Sequence, residues 1–323
     1  MIKKIILSIL LIICIAVALF YQNKLKPKHH VYKPDSITER MTQSGRVVGF
    51  IEDNGSHAWF GIPYAKAPVG ELRWRAPRAP DKWEGTLEAV ELSPICPQYG
   101  GLMGDMGPLD YNRPCGDEDC LFLNIWSPAF SRDSIPQGND RLPVMLWIHG
   151  GGNSIGHGGS YNGRVLAEMY DVIVVTFNYR LGPLGWFSHP ALRDESAAAE
   201  DGSGNYGTLD VIRALGWVKE NISSFGGDAG NVTVFGESAG GRNALTMVLS
   251  PKADGLFHRA ISQSGAPSTT TISKAENYSD DEERGHRSSS REIVNKLLIA
   301  DTIVKDRAEA TAYQNEMTNN EIA

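Results

Sequence analysis

Cysteine is scarce in this chain: four in 323 residues, at positions 14, 96, 115 and 120, without the spacing of a zinc module. Basic charge is short as well. Thirty-one Lys and Arg stand against 38 Asp and Glu, a net charge of −7, and no basic stripe forms, which argues against a nucleic-acid partner. The glycine-rich stretch near residue 150 matches neither G-x-G-x-x-G nor G-K-[ST], so a phosphate-cradling loop is not indicated there. Internal repeats are absent. With 41% hydrophobic and 21% charged residues, the chain still has ordinary globular composition and length enough to bury a sizeable core.

The one long apolar run lies at the N-terminus. Lys3 and Lys4 precede residues 5–20, which end near Ala16-Val17-Ala18. A basic start, an apolar centre and an A-x-A site are the parts of an export signal. The same run, just under the usual spanning length, also reads as an uncleaved membrane anchor. Either way the expectation is an exported protein, periplasmic or extracellular, or held at a membrane through residues 5–20. Cys14 has no small residue before it, unlike a lipid-attachment site. Residues 1–20 are thus set aside, 21–42 read as a polar, proline-containing linker, and 43–323 as the folded domain. In an oxidising compartment, one disulfide is expected among Cys96, Cys115 and Cys120; spacing does not choose the pair.

Along the domain, Arg46–Glu52 and His57–Gly61 flank Asp53-Asn54-Gly55, a hairpin signal. Asp119–Trp126 is a strand candidate. Leu142–Ile148 and Val172–Phe177 are near-continuous apolar runs, the pattern of strands covered on both faces. Leu209, Ile212, Leu215, Val218 and Ile222 recur at helical steps within Asn205–Ser224. Val232–Phe235 and Ala260–Gln263 are further strands. Strands alternating with helices imply an α/β fold whose central sheet is mostly parallel, with flanking helices. Residues 272–290 are polar and read as a mobile loop; the acidic run Asp280–Glu283 reads as solvated charge before it reads as a metal or anion site.

Two motifs carry chemistry. Val232–Phe235 runs into Gly236-Glu-Ser-Ala-Gly240, and helix-forming residues follow. Strand, G-x-S-x-G and helix make a nucleophile elbow, which presents the Ser238 hydroxyl above a helix N-terminus. An ordinary glycine-containing turn is the bland alternative, and the flanking strand and helix count against it. His149-Gly150-Gly151-Gly152 follows the Leu142–Ile148 strand. Glycine backbone there is able to approach a substrate carbonyl and donate N–H groups to it.

With these motifs in place, the chain resembles the type-B carboxylesterases, the α/β-hydrolases that include the cholinesterases. The resemblance runs from about residue 43 to at least 265 through Phe60–Ala65, Glu118–Asn124, His149–Gly152, Asn178–Gly182, Phe225–Asp228, Gly236–Gly240 and Phe257–Gly265. It implies the α/β-hydrolase fold, and hydrolysis of small carboxylic esters through an acyl-enzyme on Ser238. The N–H groups of Gly151, Gly152 and Ala239 would form the oxyanion hole. It also implies a Cys96–Cys120 disulfide, leaving Cys115 outside the pair, and neither a metal nor an organic cofactor.

One departure stands beside the match. The family's acid and histidine follow the serine by a long interval, and only His258 and His286 lie after Ser238 in this chain. His258 belongs to a motif in which the family's histidine is not the base, and His286 sits in the polar loop. The expectation is therefore an N-terminal part of an esterase, the fold lacking its C-terminal part and the triad its acid and base. Two alternatives accompany it: a catalytically silent, cholinesterase-like binding or adhesion protein, and a lipase that differs only in access to lipid surfaces.

Overall fold

The computed structural model describes residues 31–100, 112–193 and 198–322. The expected export segment and most of the loop between Cys96 and Gly116 lie outside these residues. A seven-stranded sheet is the frame of the molecule. Its strands are β1 (Phe50–Ile51), β2 (His57–Pro63), β3 (Phe122–Ser127), β4 (Leu142–Ile148), β5 (Ile173–Phe177), β6 (Gly227–Glu237) and β7 (Arg259–Gln263), in the spatial order β7-β6-β4-β5-β3-β2-β1. β4, β5, β6 and β7 pair in parallel, with Val175 and Val234 both opposite Leu146. β5 with β3, β3 with β2, and β2 with β1 pair antiparallel. The sheet is thus mixed. The tight turn at 53–55 allows β1 and β2 only an antiparallel pairing, because a parallel return needs a longer crossover.

The expected hairpin forms, but its first strand divides. Arg46–Val48 leaves for a small sheet with Arg40–Met41 and Thr86–Glu88, while Phe50–Ile51 stays in the main one. The break falls at Gly49, whose N–H donates to Thr38 Oγ1 at 2.8 Å and whose carbonyl accepts from Asp35 N–H at 2.9 Å. Both backbone groups are taken, so Gly49 joins neither ladder. Residues 36–41, inside the expected linker, accordingly hold a 3₁₀ turn and a strand.

The core lies between the sheet and its helices α1 (Arg164–Tyr170), α2 (Tyr206–Asn221) and α3 (Ala239–Leu249). Every residue of β5 is buried, as its apolar run requires. Trp59, Leu123, Ile125, Leu146, Val175, Phe177 and Val234 pack with Val211, Leu215 and Val218 of α2. Most of the expected stripe is in place: Leu215, Val218 and Ile222 are buried in the core and Ile212 packs against it. Val211, Ala214, Leu215 and Val218 face the core, whereas Leu209 and Ile212 are half-buried. Asp210 on the same helix is fully buried, and its carboxylate accepts from Arg180 Nε at 2.8 Å and Nη2 at 2.7 Å. In this two-pronged ion pair each buried charge has its partner.

Residues 272–290 are a loop only in part, and that part is pinned by side-chain contacts. Ile272–Glu276 is a short helix, and its buried Glu276 pairs with Arg193. Tyr278 is buried under the guanidinium groups of Arg291 and Arg307, 5.3 and 5.8 Å from its ring. Glu292, on α4 (Ser290–Ala300), accepts from Ser279 N–H at 2.8 Å and from Arg307 Nη2 at 2.6 Å, and Asp280 pairs with Arg307 as well. The acidic run had concealed a partner, the arginine that opens α5 (Arg307–Glu316). Among the described residues no cluster of His, Cys, Asp and Glu is placed to hold a metal ion.

Candidate active site

β6 delivers Ser238 to the end of the sheet. The serine has φ 55° and ψ −117°, and α3 begins at the next residue. A non-glycine residue in that region carries strain of about 1–3 kcal/mol, which the surroundings have to impose. Here they do. Ser238 N–H donates to Gln263 O on β7 at 2.8 Å, and its carbonyl accepts from Arg242 N–H at 2.9 Å. A Cβ on Gly240 would lie 1.9 Å from Ile148 O, so backbone packs on backbone where the turn closes. Ser238 itself is exposed, and Ala239 behind it is buried.

β4 ends at Ile148, directly opposite Gly236 in the parallel ladder, so residues 149–152 leave the sheet beside the elbow. A Cβ on Gly150 would stand 3.4 Å from Ser238 Cβ. Gly151 has φ +101°, and its carbonyl accepts from the N–H groups of both Ser154 and Ile155 at 3.1 Å, closing a tight turn that leaves no room for a side chain. Among the described residues, the N–H groups of Gly151, Gly152 and Ala239 donate to no backbone carbonyl. The sheet thus gathers an exposed hydroxyl, an α-helix N-terminus and two glycine N–H groups at one edge.

His149 supports this loop from below. Its ring is buried, stacks on Tyr179 at 4.3 Å between centroids, and Nδ1 contacts Gly150 O at 2.8 Å. Burial pushes its pKa down to about 4, so the imidazole is neutral at physiological pH. A contact to a carbonyl oxygen requires the proton on Nδ1. Tyr179 Oη donates to His149 O at 2.7 Å. On the other side Gln98 clamps Gly156: Oε1 accepts from Gly156 N–H at 2.8 Å, and Nε2 donates to Gly156 O at 3.1 Å. Gln98 is two residues beyond Cys96, which is disulfide-bonded to Cys120. Cys115 lies outside that bond, its Sγ 3.4 Å from Gln98 O.

The other described histidines are engaged elsewhere. His57 packs on Trp59, His157 Nε2 bonds Ser160 Oγ, and His189 Nε2 bonds Gln314. His258 Nδ1 accepts from Val232 N–H at the start of β7, about 16 Å of extended strand from the residue that holds Ser238. His286 Nδ1 accepts from Ser288 N–H in the turn before α4. None of these contacts brings an imidazole to the serine. Sequence reading located the serine and the glycines by motif; Gln98 and Gln263 escaped it, because a contact made through backbone or an amide leaves no local pattern.

Residues 36–297 match the sequence model of the Carboxylesterase family. The chain is 48% identical over 237 residues to para-nitrobenzyl esterase of Bacillus subtilis (strain 168), covering 72% of this chain and 45% of that protein. It is 44% identical over 233 residues to cocaine esterase of Oryctolagus cuniculus, covering 70% and 41%. A solved PNB esterase superposes with a TM-score of 0.66 at 38% identity, covering 89% of this chain and 53% of the other. The chain spans less than half the length of these curated relatives. The fold is the α/β-hydrolase fold, and the chain belongs to the carboxylesterase family.

Proposed function

We propose that this chain carries the nucleophile half of a serine carboxylic-ester hydrolase. Ser238 Oγ attacks the ester carbonyl, and the oxygen that becomes negative is received by the N–H groups of Gly151, Gly152 and Ala239, with the N-terminal dipole of α3 behind them. The alcohol leaves with a proton, an acyl-enzyme remains on Ser238, and water releases the acid. The base and acid of this relay are assigned to sequence outside the described residues. The carrying observation is the exposed serine at φ 55°, set beside a loop whose glycine N–H groups are uncommitted. Substrates on this reading are small, uncharged or weakly polar esters, and the site works in an exported or membrane-anchored protein.

Turnover of short-chain aryl esters by the native protein, abolished in Ser238→Ala, is the expected result; a variant that keeps its rate would overturn the assignment. Faster turnover of emulsified long-chain esters than of soluble ones would move the reading to a lipase. One observation favours a silent binding protein: no described histidine reaches Ser238. That reading predicts no turnover by the native protein at all.

A further inference from the structure

The glycine loop needs a fixed register against the helix that starts at Ser238, and two residues outside the nucleophile and oxyanion set supply it. Asn153 follows the glycines with φ 58°, a left-handed conformation that asparagine tolerates better than other side-chain-bearing residues. Its carbonyl accepts from Gly182 N–H at 2.7 Å. Its Oδ1 accepts from Nδ2 of Asn243 at 3.0 Å. Asn243 is only 4% exposed and sits on α3, the helix that begins beside the nucleophile. Tyr179 Oη is 3.4 Å from the same Oδ1 but 2.7 Å from His149 O, so its single proton goes to His149 O. Asn243 also bonds the Tyr179 hydroxyl, so α3 reaches the loop directly at Asn153 and, through Tyr179, at His149 O; the Asn153 contact is the direct one.

We propose that Asn243 is a positioning residue that holds the N–H groups of Gly151 and Gly152 in register with Ser238 through Asn153. The proposal rests on the ester-hydrolase reading. Gln98 fixes the far end of the loop at Gly156, and His149 fixes its base. Between them the backbone is held through Asn153. Oxyanion donors act only within hydrogen-bond distance of the developing charge, so a shift of the loop lowers reactivity without emptying the site.

The test uses three variants and two measurements on the native protein. Asn243→Ala removes the donor. Asn153→Gly removes the acceptor and keeps the positive φ, and Asn153→Asp keeps an acceptor in place. Labelling of Ser238 by a fluorophosphonate probe is resolved into probe affinity and inactivation rate. Asn243→Ala and Asn153→Gly should each slow inactivation about tenfold at unchanged affinity, the double variant should be no slower than either, and Asn153→Asp should recover most of the rate. Amide exchange at Ile155 and Gly182 should quicken in the first two variants and return to normal in Asn153→Asp. Unchanged labelling rates, or unchanged exchange, would overturn the proposal. A wild-type protein that takes no label, with Ser238→Ala equally silent, would contradict the hydrolase reading instead. Exchange then decides the link by itself, faster exchange supporting it and unchanged exchange overturning it.

Discussion

Gly240 is the residue on which the elbow depends most directly. The atom nearest an added Cβ is a backbone oxygen of β4, 1.9 Å away, and backbone has nowhere to go. Gly240→Ala should therefore lower stability by about 3 kcal/mol, measured by denaturant unfolding. A loss under about 0.5 kcal/mol would mean that the turn is looser than described. His149 leads to a pH prediction. Burial lowers its folded-state pKa from 6.5 to about 4, so the unfolded chain takes up this proton first as the pH falls. Stability contributed by the neutral ring is full above about pH 6.5 and declines as the pH drops toward 4. His149→Gln should flatten that part of the stability profile; an unchanged slope would show that the ring is not held neutral.

In α2, one buried charge stands beside the periodic apolar pattern. Asp210→Ala would leave the Arg180 guanidinium, itself 3% exposed, without its carboxylate, and should cost about 3–5 kcal/mol. Denaturant unfolding of the variant would measure it, and a cost below 1 kcal/mol would show that Arg180 finds water. The same pair explains how far the sequence was readable. Apolar runs placed β4 and β5 within a residue of their observed bounds and α2 within three, because burial on both faces or along one stripe leaves a period to read. The buried charge on α2 was not legible, since a charged residue at position 210 looks like solvent-facing surface until its arginine is found. Residues 272–290 failed to reveal themselves for the same reason: Glu292 and Arg307, which hold Ser279 and Asp280, lie outside the polar stretch. The division at Gly49 depends on Thr38 and Asp35, and no local signal announces it. At the site, the serine and glycines were legible as motifs because their backbone geometry demands small residues. Gln98 and Asn243 act through amides at long sequence range and were not.

Across the molecule the sheet is finished unevenly. β1 is a two-residue edge, too short to template pairing, whereas β7 is a five-residue edge with Ile261 45% exposed. Beside it α3 exposes Val248 and Leu249. Among the described residues nothing pairs with the outer side of β7, and an open strand edge invites a further strand. Ile261→Lys should reduce self-association of the protein in light scattering without lowering its unfolding midpoint. Equal association in the variant would show that this edge is already covered.

If Ser238 is the reactive group of the molecule, fluorophosphonate treatment followed by intact-mass measurement will show it. A single added phosphonyl group is expected on the native protein, recovered in the peptide that contains Ser238, and none on Ser238→Ala. An unmodified native protein, or a label carried equally by Ser238→Ala, would contradict it.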